Sequence, residues 1–287
     1  MAKEPFRLLL PERRETSVVF ASPHSGRDYP PAFLAASVLD EDTIRTSEDA
    51  FVDQLLSGAP AHGAPVLAAT VPRAYVDLNR AADELDPALI EGAQTHMHNP
   101  RVVSGLGVIP RVVAGGRAIY RGKLPLAEAQ ARIADCWRPY HAQLAALIAQ
   151  SADRFGEAIL VDFHSMPHEA MDSIAATGAP RPEIVLGDRY GAAAAPDVVD
   201  RIEAAFERAG LRVLRNAPFA GAYVTQAYGR PGRRQHAVQV EIDRALYMSE
   251  APIRPNGNYA TFARMLDGIV AEIAAIGRPR RLPLAAE

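Results

Sequence analysis

A single cysteine, Cys136, excludes an internal disulfide framework and any cysteine-rich metal site. Beside Trp137 in a helical pattern, with no base close in sequence, that thiol reads as a small buried hydrophobe rather than a nucleophile. No run reaches the ~18 uninterrupted apolar residues of a membrane span, and the segment Met-Ala-Lys-Glu-Pro-Phe-Arg at the N-terminus has no signal-like apolar core. A soluble, cytoplasmic protein is therefore expected. Neither sign of charge dominates. The 31 lysines and arginines against 34 acids leave a net charge of -3, which gives no footprint for nucleic acid despite the local cluster Arg230, Arg233 and Arg234. A small-molecule partner is the remaining expectation.

What is present is an alternation of short apolar strands with amphipathic helices, the pattern of a layered α/β protein, in a chain of 287 residues long enough to bury a substantial core. One domain over 1–287 is expected. Strands are predicted at 17–21, 66–71, 75–78, 158–163, 183–186, 211–214 and 237–242. Ser47 reads as the cap of a helix whose first turn holds Glu48 and Asp49, and a long helix is predicted over 125–155 with a kink at Pro139. Further helices fit 197–208 and 259–276. The stretch 81–122, with His96, His98, Asn99 and Gly115-Gly116, is irregular and reads as a substrate loop, while 278–287 reads as a fraying tail.

Two strands deliver a histidine where they end. Ser17-Val18-Val19-Phe20-Ala21 runs into Ser22-Pro23-His24, and Ala158-Ile159-Leu160-Val161-Asp162-Phe163 runs into His164. Open α/β sheets bind ligands at their strand ends, so the pair suggests one shared metal site. A catalytic divalent metal takes three protein ligands and keeps one open position, which leaves a third ligand to find. Asp49 is the candidate, with Glu48 its competitor. Glu241 interrupts an apolar strand. It is either the outward face of a half-exposed edge strand or a general base aimed at water beside the metal. Arg73 and Asn79-Arg80 offer planar hydrogen-bonding groups suited to a carboxylate. His141 reads as a hydrogen-bonded structural residue.

Seven short pieces in a fixed order carry a resemblance. They are Pro23-His24-Ser25-Gly26, Glu48-Asp49 with Val52-Asp53-Gln54-Leu55, Val76-Asp77-Leu78-Asn79-Arg80, Arg138-Pro139-Tyr140-His141, Asp162-Phe163-His164-Ser165, Gly221-Ala222-Tyr223-Val224-Thr225, and the run from Val240 to Met248. Together they resemble the N-formylglutamate amidohydrolase family, the metal-dependent deformylases of histidine breakdown. The resemblance implies an α/β fold of three layers, α/β/α, with a mixed, mostly parallel central sheet of about eight strands. That fold is zinc-carboxypeptidase-like (phosphorylase/hydrolase-like). It further implies that His24, Asp49 and His164 hold Zn2+, with Fe2+ or another divalent metal as the alternative. Glu241 would be the catalytic base and Arg73 would polarise the scissile carbonyl. Asn79 and Arg80 would grip the substrate's α-carboxylate, with Tyr223 also contacting substrate. The implied reaction is hydrolysis of N-formyl-L-glutamate to formate and L-glutamate. The alternatives are another N-acyl amino acid or small peptide as substrate, or a binding protein without catalysis.

Overall fold

The computed structural model describes residues 4–94, 99–172, 178 and 181–279. His96, His98 and residues 280–287 of the expected tail lie outside the described residues. A mixed sheet of seven strands organises the chain, in the order β1-β3-β2-β4-β7-β5-β6. The strands are β1 Phe6–Leu9, β2 Val18–Ser22, β3 Val66–Ala69, β4 Ala158–Met166, β5 Ile184–Gly187, β6 Val213–Arg215 and β7 Gln235–Asp243. β3, β2, β4 and β7 run parallel to one another, whereas β1 and β5 pair antiparallel with β3 and β7. The sheet is therefore mixed and mostly parallel, as expected, with one strand fewer than the eight expected.

Helices cover both faces, which is why the central strands are apolar on both sides. On one face Val161, Phe163, Val238 and Val240 pack with Val199, Ile202, Phe206, Leu266, Ile269 and Ile273 of the helices Pro196–Arg208 and Tyr259–Ile276. On the other, Val19, Leu160 and Ala237 meet Tyr140, Leu144 and Leu147 of the helix Arg138–Phe155. Cys136 is buried in that second layer, its thiol pushed up to about 11 chiefly by burial. Among the described residues no helix is long and apolar enough to cross a membrane.

Where a kink is expected, the long helix carries a π-turn at Ile133–Trp137 just ahead of Pro139, which has no N–H to give the regular ladder. Three local expectations are corrected. Residues 75–78 are not a strand. The amides of Tyr75 and Val76 turn back to Pro72 O, and Asp77 N–H goes to Val108 O in the irregular stretch. The helix expected from Ser47 is only Val52–Leu55, because Glu48 is extended and Phe51 sits at φ 69°. Finally, β7 is an interior strand between β4 and β5, with Gln239, Glu241 and Asp243 all buried, so the edge-strand reading of Glu241 falls.

The turn after β2 depends on a close backbone approach. A Cβ at Gly26 would stand 1.9 Å from the carbonyl oxygen of Val71. Backbone cannot swing away as a side chain can, so Gly26→Ala is expected to lower unfolding free energy by about 1–3 kcal/mol, the usual cost of overpacking. Urea unfolding of the metal-free proteins checks this, and an unchanged midpoint would contradict it.

Candidate active site

The site forms where β2 and β4 approach their carboxyl ends. His24 follows β2, whereas His164 lies within β4, which continues to Met166 rather than stopping before the histidine. Parallel register sets His164 opposite Glu241 and Asp162 opposite Gln239, so these four polar side chains share one face. Asp49 arrives on the bent segment before the helix Val52–Leu55, and its N–H donates to His24 O at 2.9 Å. That bond explains why the chain does not enter a helix at Ser47: tertiary pairing overrides the local cap signal.

His24, Asp49 and His164 are buried and offer ligand atoms within 4.8 Å of one another. His164 Nδ1 lies 3.1 Å from His24 Nδ1 and 3.0 Å from Asp49 Oδ2, and His24 Nδ1 lies 3.4 Å from the same oxygen. Donor atoms on one tetrahedral zinc, at ~2.0–2.1 Å each, stand about 3.3 Å apart. The triad fits a divalent metal on that measure. Both histidines are oriented from behind, since His24 Nε2 meets Asp77 Oδ1 at 2.7 Å and His164 Nε2 meets Asp162 Oδ2 at 2.9 Å. Carboxylates there hold the proton on Nε2 and leave the Nδ1 lone pairs facing Asp49, the outer-shell arrangement of metal-binding histidines. Asp49 Oδ1 is taken by Arg244 Nη2 and the Ser165 hydroxyl, which leaves Oδ2 for the cluster. Glu48 is not in the site: its carboxylate accepts from Arg45 and from the Tyr29 hydroxyl.

The electrostatics point the same way. Burial opposes ionisation of Asp49, yet hydrogen bonds from His164 and His24 outweigh it and hold the carboxyl well below its ordinary range. Burial likewise disfavours a charged His164, but Asp162 and Asp49 raise its pKa well above the ordinary value. The pocket thus demands a positive charge, which a proton or a metal cation can supply, and metal binding here must displace protons. Glu241, chiefly through burial, is pushed up to about 7, with Gln239 Nε2 donating to its Oε1 at 2.7 Å. A carboxylate poised near neutral pH is suited to taking and returning a proton.

A cleft of about 490 Å³ opens over this cluster. Its walls include Arg73, Asn79, Arg80 and Glu241, together with parts of the irregular stretch from Arg101 to Gly116. Arg73 Nε donates to Asp77 Oδ2 at 3.0 Å, and its two terminal nitrogens have no hydrogen-bond partner among the described residues. Arg80 donates to Leu106 O and Asn79 O, and Nη2 has no partner among the described residues. Asn79 is more committed, with Oδ1 accepting from Val224 N–H and Nδ2 3.3 Å from Gln239 Oε1. Tyr223 is not among the cleft-lining residues; its ring packs on Trp137 and His141. His141 bonds Leu78 O and the Tyr228 hydroxyl, and burial pushes its pKa down to about 4.

Sequence reasoning passed over Asp77, Asp162 and Gln239 as parts of the site. Asp162 and Gln239 carried a signal, since each stands two residues before a candidate on a buried strand. Arg244 stands in the run from Val240 to Met248 that carries the resemblance, whereas Arg101 had no signal, because nothing local distinguishes it from a solvated arginine.

A model of the N-formylglutamate amidohydrolase family matches residues 16–248. The chain is 32% identical over 278 residues to an N-formylglutamate deformylase of Pseudomonas aeruginosa, covering 94% of this chain and 97% of that protein. It is 30% identical over 240 residues to an N-formylglutamate deformylase of Pseudomonas putida, covering 81% of this chain and 82% of that one. In structure it is similar to an N-formylglutamate amidohydrolase from Ralstonia eutropha, with a TM-score of 0.89 and 37% identity over 96% of this chain and 99% of that one.

Proposed function

The chain belongs to the N-formylglutamate amidohydrolase family, and we propose from this premise that it hydrolyses N-formyl-L-glutamate to formate and L-glutamate with a divalent metal held by His24, Asp49 and His164. The observation that carries the reading is the convergence of two carboxylate-backed histidines, one carboxylate and the raised-pKa Glu241 on a single cleft. Zinc is the proposed metal, since two imidazoles and a carboxylate are a common hydrolytic zinc set; the same donors suit ferrous iron. The chemistry such a cation supplies when bound is Lewis-acid polarisation of a carbonyl and acidification of water.

The residues of the chain do the rest. Glu241 takes a proton from water as its oxygen attacks the formyl carbon. The Arg73 guanidinium, kept charged by Asp77 and Asp49 against its burial, lies on the cleft wall and stabilises the oxyanion that forms. Glu241 then passes its proton to the departing amine nitrogen, so one group serves as base and acid in turn. Arg80 takes the α-carboxylate through Nη2, and Asn79 joins by turning its Nδ2 away from Gln239 Oε1 and His164 Nε2. Within the expected substrate loop 81–122, the segment from Arg101 to Gly116 supplies the substrate wall, and the enzyme is read as single-domain and cytoplasmic.

A panel of N-formyl-, N-acetyl- and N-succinyl-L-glutamate tests the acyl group. Turnover of the formyl substrate is expected to exceed that of the others by at least about 10²-fold, because larger acyl groups must fit beside buried ligands. Equal turnover of all three would replace the deformylase reading with that of a general N-acyl amino acid hydrolase.

A further inference from the structure

We propose that Arg101 is the specificity residue for the substrate's second carboxylate, so that the cleft selects N-formyl dicarboxylic amino acids over those with neutral side chains. This inference rests on the deformylase reading above.

The cations of the cleft are not equally occupied. Arg73 pairs with Asp77, and Arg244 is spent on Asp49, Ser165 and the Glu48 carbonyl. Among the described residues Arg80 hydrogen-bonds only two backbone carbonyls, with Asp77 acting at longer range and Glu84 at 3.9 Å, which is too long for a hydrogen bond. Arg101 lines the same cleft, is exposed, and its guanidinium makes no hydrogen bond or ion pair among the described residues, with Glu84 the acid that feels its charge at longer range. Two under-used guanidinium groups in one cleft match a ligand with two carboxylates, and a monocarboxylate would leave one of them idle.

The Arg101 backbone is also fixed relative to the Arg80 side chain. Leu106 N–H donates to Arg101 O at 2.8 Å, while Leu106 O accepts from Arg80 Nε at 2.9 Å. The short helix Pro100–Val103, capped by the Asn99 side chain, is thereby pinned to Arg80. Burial, joined by the like charges of Arg73 and Arg101, holds the Arg80 pKa below its ordinary value against the opposing pull of Asp77 and Glu84, so the like charges there are felt and an added anion would relieve them. Arg80 is buried and takes the carboxylate next to the scissile amide. Arg101, at the rim, reaches the distal one.

Binding of N-formyl-L-glutamate and N-formyl-L-glutamine to Glu241→Gln protein, measured by calorimetry without turnover, tests the assignment. Adding Arg101→Gln should cut the preference for the glutamate ligand by about 10- to 100-fold, the worth of charge-assisted hydrogen bonds. Arg101→Lys should retain part of it, since a point charge lacks the planar fork. Equal weakening of both ligands, or no change in either, would overturn the subsite. If Glu241→Gln protein with Arg101 intact binds neither ligand, the deformylase reading itself fails, and the subsite with it.

Discussion

His164→Ala protein is expected to lose its metal and its activity together. His164 is central to the cluster: its Nδ1 is within 3.1 Å of the other two ligand atoms, and the remaining pair, His24 and Asp49, makes an incomplete set. Activity should fall by more than the ~10- to 100-fold that loss of an outer-shell partner costs, because here a ligand itself is removed. The substitution also leaves Asp162 buried with neither oxygen paired to a side-chain donor, since among the described residues Oδ1 has no partner and Oδ2 meets only His164. An uncompensated buried charge of that kind costs about 3–5 kcal/mol. His164→Gln keeps a donor toward Asp162 and separates lost ligation from lost fold. Elemental analysis beside circular dichroism reads both outcomes, and a folded variant with stoichiometric metal would refute the ligand assignment.

Glu241→Gln should do the opposite, keeping the metal while losing about 10²- to 10⁴-fold in turnover. The amide fills the same volume and can still bond Gln239, so the pocket is preserved and only proton transfer is removed. The pH dependence carries the sign. Glu241 is raised to about 7 by burial and works as a base only when ionised, so wild-type kcat/KM should rise with pH through this region. A cation held by the triad favours the carboxylate and moves that limb to lower pH. In the variant this limb should vanish. Turnover within a few-fold of wild type, or an unchanged acid limb, would remove Glu241 from the mechanism.

The parts of the site legible in the sequence are those that break a strong pattern. His164 and Glu241 interrupt long apolar strands, where an unsupported polar side chain is costly, and His24 follows the turn signal after β2. The layered architecture was legible for the same reason, since the strand and helix periods differ. Elements decided by tertiary bonds were not. Ser47 followed by two acids looks like a helix start, yet the Asp49 N–H is claimed by His24 and the Glu48 carbonyl by Arg244. Residues 75–78 alternate like a strand but are tied to Pro72 and Val108 instead. The alignment of Asp77 behind His24 spans 53 residues of sequence, which no local window can register.

The measurement that tests the central claim most directly is formate release from N-formyl-L-glutamate by purified protein, before chelation, after chelation and after adding back Zn2+. Release is expected before chelation, lost once the metal is removed, and restored when Zn2+ is returned at one equivalent per chain. Release that survives complete removal of the metal would contradict that claim.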